Sequence, residues 1–467
     1  MTGRNDTICA PATGSGGAIA VIRVSGPGSF AMAASLFSPA DKDVSVKDAK
    51  GYTILFGEIV DGPEVIDEVL VSLYRSPRSY TGEDSVEISC HASKYIQNRI
   101  LELLIKSGAR AASPGEFTQR AFMNGKMDLS QAEAVADLIS ARSEASHRLA
   151  LGQMRGGISS EISKLRSELL HFASLIELEL DFGEEDVEFA DRTELLKIIS
   201  GVKTISDDLA SSFLRGNAIK NGIPVAIIGK PNSGKSTLLN KLLKEERAIV
   251  SDIPGTTRDA IEDTIVIEGI EYRFIDTAGL RDTVDPVESI GISRTYEKIS
   301  QAAIILLMDE VGDSYESITR RAENIRGIIT GENKKLIIVI NKADLATAEE
   351  VEHLRNNIRV QGGEKLMFIS ARNSEGIDML KARLGEMAQL SAIDSGEVII
   401  TNIRHYEALM HVSESLERVE TGIVSGIPED LVALDIRQAI HYLGEITGEI
   451  TTDEILGNIF KNFCIGK

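Results

Sequence analysis

The sequence predicts a multidomain chain of mixed class, an α+β segment followed by a helical region into which an α/β unit is inserted. At roughly 150 residues per domain, its 467 residues suffice for about three cores. Short β-like runs with Gly and Pro turns fill residues 1–120, whereas helical periodicity governs 121–217 and returns across 386–467. Between the helical stretches, residues 218–385 alternate strand and helix in the rhythm of a parallel sheet.

In the first segment, residues 18–24 and 69–73 read as strands and residues 94–106 as a helix. Gly14-Ser15-Gly16-Gly17 lacks the G-x-G-x-x-G spacing of a dinucleotide loop and reads as a turn. The helical region opens after Asp128, with Ser130 and Glu133 spaced as a capping box. Further on, Ile158, Ile162, Leu165, Leu169, Phe172 and Ile176 share one helix face, which suits an intramolecular core or a dimer seam. The acidic run 181–188 reads as solvated loop.

Composition narrows the function classes. A net charge of −21 argues against non-specific nucleic-acid binding, which needs clustered Lys and Arg, although a local patch could still meet RNA. The absence of tryptophan leaves little material for base stacking. No run reaches the apolar length of a membrane helix, and residues 1–6 lack a signal-peptide layout. The expected compartment is the cytoplasm. Cys9, Cys90 and Cys464 are far apart and odd in number, so reduced thiols fit better than a disulfide or zinc framework.

The inserted unit carries phosphate chemistry. An apolar strand at 225–228 runs into Gly229-Lys230-Pro231-Asn232-Ser233-Gly234-Lys235-Ser236, with Thr237 and a helix bearing Leu238, Leu239, Leu242 and Leu243 beyond. In that context backbone N–H groups wrap phosphates, Lys235 neutralises their β and γ oxygens, and the Ser236 hydroxyl can ligate Mg²⁺. Ser251, Asp252, Ile253, Pro254, Gly255, Thr256 and Thr257 suit a switch loop, with Thr257 a second Mg²⁺ ligand. Asp276, Thr277, Ala278 and Gly279 follow a strand and can reach the metal shell and the γ-phosphate. Asn341, Lys342, Ala343 and Asp344 close another strand, where Asp344 can accept from guanine N1 and N2, which adenine cannot supply. Ser370, Ala371 and Arg372 would place a backbone N–H on guanine O6. In this order the motifs predict a Ras-like P-loop G domain that selects GTP over ATP. Leu280 stands where many signalling GTPases hold a water-orienting glutamine, so hydrolysis needs another device, for which Arg281 and Glu288 are nearby candidates.

The phrases GKPNSGKST, SDIPGTTRD and DTAGLRDT and the terminal FCIGK, with SYTGEDSVEISCH and SPGEFTQRAFMNGKMDLSQAEA upstream, resemble the MnmE (TrmE) family of tRNA-modifying GTPases over nearly the whole chain. The resemblance implies hydrolysis switched on by K⁺-dependent pairing of G domains, with K⁺ held by Asn232, Ser251, Ile253 and Thr256. It implies that Glu288 positions water, where the residue alone would read as a surface carboxylate. It further implies a folate-binding-like N-terminal domain that also dimerises, holding a 5-formyl or 5,10-methylene tetrahydrofolate derivative through Arg23, Glu87, Lys126 and Lys467. Cys464 would lie beside that site as a nucleophile or a structural contact. The implied setting is a homodimer joined to an FAD-carrying partner of the MnmG (GidA) type, modifying C5 of the wobble uridine of certain tRNAs, away from any membrane.

A ribosome-assembly or signalling switch without covalent chemistry is the alternative, but a second P-loop or a basic RNA-binding tail is missing. A membrane-remodelling GTPase lacks an anchor or a basic amphipathic helix.

Overall fold

The structure, a computed structural model, describes residues 6–14, 16–181, 192–246, 263–275, 299–329, 334–387, 397–461, 463 and 466. The chain divides into two units, one of residues 1–139, 152–207 and 407–467, the other of 140–151 and 208–406.

The first unit begins with β1 (Ile8–Pro11), β2 (Ile19–Ser25), α1 (Ser29–Leu36), β3 (Phe37–Pro39), β4 (Thr53–Asp61), β5 (Glu64–Tyr74), β6 (Ser85–His91), α2 (Lys94–Lys106), β7 (Arg110–Ala111) and α3 (Glu116–Met123). The strands form a seven-stranded sheet in the order β3-β4-β5-β6-β2-β1-β7. Because side chains alternate along a strand, Ile22, Val24, Val71, Leu73, Val86 and Ile88 face one way and bury against Phe30, Ile100 and Leu104. The same alternation turns Arg23 and Glu87, which are in direct register, to the opposite face.

Helices α4 (Leu129–Ser140), α5 (Glu144–Met154), α6 (Gly157–Asp181), α7 (Arg192–Ser211) and α8 (Phe213–Asn221) follow. The capping box of α4 differs from the sequence expectation. Asp128 Oδ1 accepts from the Gln131 amide at 2.9 Å and Gln131 Oε1 accepts from the Asp128 amide at 3.0 Å. The box therefore starts two residues before Ser130, because Asp is as good a cap as Ser and Gln can replace Glu at its third position. Ser130 instead donates to Asp128 at 2.8 Å. The acidic run 181–188 lies outside the residues whose side chains are described.

The second unit contains β8 (Ile223–Gly229), α9 (Lys235–Glu246), β9 (Asp263–Ile267), β10 (Ile270–Phe274), β11 (Ile304–Glu310), α10 (Tyr315–Ile328), β12 (Lys335–Asn341), α11 (Ala348–Asn357), β13 (Lys365–Phe368) and α12 (Ile377–Met387). Its six-stranded sheet runs β13-β12-β11-β8-β10-β9, parallel except for the β9–β10 hairpin. Strands covered on both faces must be apolar at every position. Thus Val225, Ile227, Leu306 and Val339 pack with α9 on one side, and Ala226, Ile228, Leu307 and Ile338 pack with α10 on the other.

The chain ends in α13 (Ile403–Ser425), α14 (Glu429–Thr447) and α15 (Asp453–Lys461). α6 lies along α14, and every member of the Ile158-to-Ile176 stripe is buried. The stripe is therefore core within the chain. Leu456 and Phe460 of α15 pack on Leu129 and Ala132 of α4, and α15 also lies against α3. Gly115, with φ +68°, permits this: a Cβ there would stand 2.7 Å from the Phe460 carbonyl oxygen. The mixed α+β and α/β organisation is the one the sequence predicts.

Candidate functional site

β8 delivers the chain into the phosphate loop. A Cβ on Gly229 would lie 2.0 Å from the Met308 carbonyl oxygen, so the loop can leave the sheet only through glycine. Gly234, with φ +98°, is equally constrained, since its Cβ would meet Asn341 Nδ2 at 2.1 Å. α9 starts at Lys235, anchored by buried Leu238, Leu239, Leu242 and Leu243. Its first-turn amides and dipole suit an anion. Lys235 Nζ donates to the carbonyls of Gly229 at 2.8 Å and Lys230 at 2.7 Å. Asn232 is exposed on the loop and Ser236 and Thr237 on the first turn of α9, while Ser233 is buried.

The base-reading residues gather at the ends of β12 and β13. Asn341 Nδ2 donates to the Ser233 carbonyl at 2.8 Å, and its Oδ1 accepts from the Ala371 amide at 2.9 Å. Of the three backbone N–H groups offered to guanine O6, that of Ala371 is thus engaged by Asn341. A buried side-chain oxygen needs a donor, and this amide supplies it. Lys342 adopts φ 63°, and the Ala343 amide donates to the Ile369 carbonyl at 3.0 Å. Asp344 and Arg372 are exposed. Ser370 is fully buried, its hydroxyl accepting from the Asn373 amide at 3.2 Å. Lys241 of α9 reaches Ser374 Oγ at 2.9 Å. The structure therefore joins the phosphate loop, Asn341–Asp344 and Ser370–Arg372 into one constellation.

Sequence reasoning missed Asp309, buried at the end of β11. Burial pushes its carboxyl up to about 6, against the opposing charge of Arg321. Arg321 Nε lies 2.8 Å away, yet neither carboxylate oxygen gains a well-aligned hydrogen bond. The clue was an acidic pair closing an otherwise apolar strand.

A second cluster forms on the N-terminal sheet. Arg23 Nε donates to Glu87 Oε1 at 2.8 Å, and its Nη1 donates to the Gly466 carbonyl at 3.3 Å. The guanidinium lies 5.2 Å from the Tyr80 ring centroid and 5.6 Å from that of Phe117. An ion pair flanked by aromatic rings suits a flat, polar heterocycle. Lys126 Nζ donates to the Pro77 carbonyl at 3.1 Å, and its stem lies beside Gly82.

Two sequence signatures also acquire a physical reason. Arg120 bonds Asp6 at 2.6 Å, Glu116 at 3.1 Å and Glu83 at 3.2 Å, and Arg110 bonds Glu116 at 2.6 Å. Burial raises the Glu116 carboxyl, but Arg110, the Ser113 amide and Arg120 outweigh it and hold it below the usual range. Ser25 Oγ ties Glu83 into the same network at 2.8 Å.

Ser251, Asp252, Ile253, Pro254, Gly255, Thr256, Thr257, Asp276, Thr277, Ala278, Gly279, Leu280, Arg281, Glu288, Cys464 and Lys467 lie outside the described residues. Among the described residues, Cys9 and Cys90 are buried free thiols, each pushed up to about 11 by burial. No described group of His, Cys, Asp and Glu is arranged to hold a metal ion. No helix among the described residues is long and apolar enough to cross a membrane.

Residues 7–126 match the family model for the GTP-binding protein TrmE N-terminus, and residues 129–464 match that for the MnmE helical domain. The chain belongs to the MnmE family. Its relatives include the tRNA modification GTPase MnmE of Bacteroides thetaiotaomicron, 54% identical with 99% of each chain covered. The proteins of that name from Christiangramia forsetii and Flavobacterium psychrophilum are 52% and 50% identical, again with 99% of each chain covered. The two MnmE models meet where Asp128 caps α4.

Proposed function

We propose that this chain is a K⁺-stimulated GTPase of a tRNA-modifying complex, and that its N-terminal sheet carries a tetrahydrofolate derivative as one-carbon donor. With an FAD-bearing partner of the MnmG type it would place a carboxymethylaminomethyl or aminomethyl group on C5 of the wobble uridine. The work divides among residues 1–120 for folate and dimerisation, 218–385 for GTP, and 121–217 with 386–467 as the helical domain. Mg²⁺ would be held by Ser236 and Thr257, and K⁺ by Asn232, Ser251, Ile253 and Thr256. Glu288 would position water.

The supporting observation is the Arg23–Glu87 pair, bracketed by Tyr80, Phe117 and Gly466, in a chain that also holds a guanine-type nucleotide constellation. When bound there, the folate supplies the one-carbon unit. Glu87 matches the amino-pyrimidone edge of its pterin, and cationic Lys126 and Lys467 suit its carboxylates. Homodimerisation is supported by Ile54, Phe56 and Leu70, which expose apolar surface on the face that carries Arg23 and Glu87.

Calorimetry with 5-formyl-tetrahydrofolate tests this reading. Wild-type protein should bind and Glu87→Ala should lose binding. A wild type that does not bind would favour an assembly or signalling switch.

A further inference from the structure

A single carboxylate joins the two loops that would read the nucleotide. Glu310, the last residue of β11, accepts from Lys230 Nζ on Oε1 at 2.6 Å and from Lys342 Nζ on Oε2. Lys230 belongs to the phosphate loop and Lys342 to the base-reading loop. Sheet register puts the carboxylate between them, since Met308 pairs with Gly229 and Glu310 pairs with Asn341. Glu310 is held well below the usual carboxylate range by Lys230 and Lys342, so it is ionised at neutral pH.

The pair of lysines is not an isolated surface contact. Lys230 also donates to Asp313 Oδ1 at 2.6 Å. Arg321 then spans Asp313 at 3.0 Å and buried Asp309 at 2.8 Å. Charge thus alternates without a break through Lys342, Glu310, Lys230, Asp313, Arg321 and Asp309. An exposed ion pair contributes little because each side chain must be ordered for one bond. In this chain each interior member is ordered once and serves two neighbours. The Lys230 carbonyl, in turn, accepts from Lys235 Nζ at 2.7 Å. Restraining the Lys230 side chain therefore restrains a partner of the lysine that meets phosphate.

We propose that Glu310 is a positioning residue that couples base recognition at Lys342 to phosphate binding at Lys230 and Lys235, an inference that rests on the GTP-binding reading.

The test measures dissociation constants for fluorescently labelled GDP. Lys230→Met, Lys342→Met and their double variant are compared in the wild-type background and in Glu310→Gln, which keeps the side-chain shape but removes its charge. In the wild-type background the double variant should weaken binding by about three- to tenfold less than the product of the single effects. In Glu310→Gln the product rule should hold. Additivity in the wild-type background, or the same shortfall in both backgrounds, would overturn the proposal. Failure of the wild type to bind GDP would sink the GTP-binding reading and this inference with it, whereas additive constants sink the inference alone. Thermal melts without nucleotide confirm that every variant compared is folded.

Discussion

Asn341 Nδ2 donates to the carbonyl of Ser233 at 2.8 Å, which makes the base-reading loop a direct support of the phosphate loop. The other end of the same amide takes the Ala371 N–H at 2.9 Å. Asn341→Ala leaves a buried carbonyl and a buried amide without partners, each costing about 1–3 kcal/mol. The variant should therefore unfold at lower denaturant even in nucleotide-free protein, besides losing GDP affinity. Equal nucleotide-free denaturation midpoints would restrict Asn341 to contacts with the ligand.

Asp309 predicts an unusual pH response. Its folded-state value of about 6 lies above the ordinary 3.8. Between those values the folded chain holds a proton that the unfolded chain has released. The stability from this group is therefore gained as pH falls through about 6 and is lost as pH rises. Asp309→Asn removes that gain. Relative to wild type, it should lose ground on acidification from pH 6 to pH 4, as read from denaturation midpoints along that series. Parallel profiles would mean that Asp309 titrates alike in both states.

The switch chemistry is open to kinetics. If K⁺ supplies the transition-state charge, replacing Na⁺ by K⁺ should raise GTP turnover strongly; equal rates would remove that mechanism. Glu288→Ala should bind GTP normally yet turn it over about 10²-fold more slowly. Unchanged turnover would return Glu288 to the surface.

Much of the fold was legible because strand and helix periods are local properties. The helix over 94–106, the P-loop with its flanking strand and helix, and the buried stripe on α6 all follow from spacing within one element. The α4 cap was misread because Asp128/Gln131 and Ser130/Glu133 satisfy the same short pattern, and hydrogen bonding selects between them. Tertiary partners were not legible. Nothing local pairs Asn341 with Ser233, or makes Glu310 the meeting point of two lysines. The same holds for Arg23 and Gly466, whose contact spans 443 positions of sequence.

That last contact has a temporal meaning. During synthesis Arg23 leaves the ribosome early, the entire GTP-binding unit follows, and residue 466 emerges only afterwards. The Arg23–Glu87 pair therefore gains its contact with the Gly466 carbonyl only after the nucleotide unit has been synthesised. A nascent chain therefore completes the strands and helices around its phosphate loop before the contact between Arg23 and Gly466 can form.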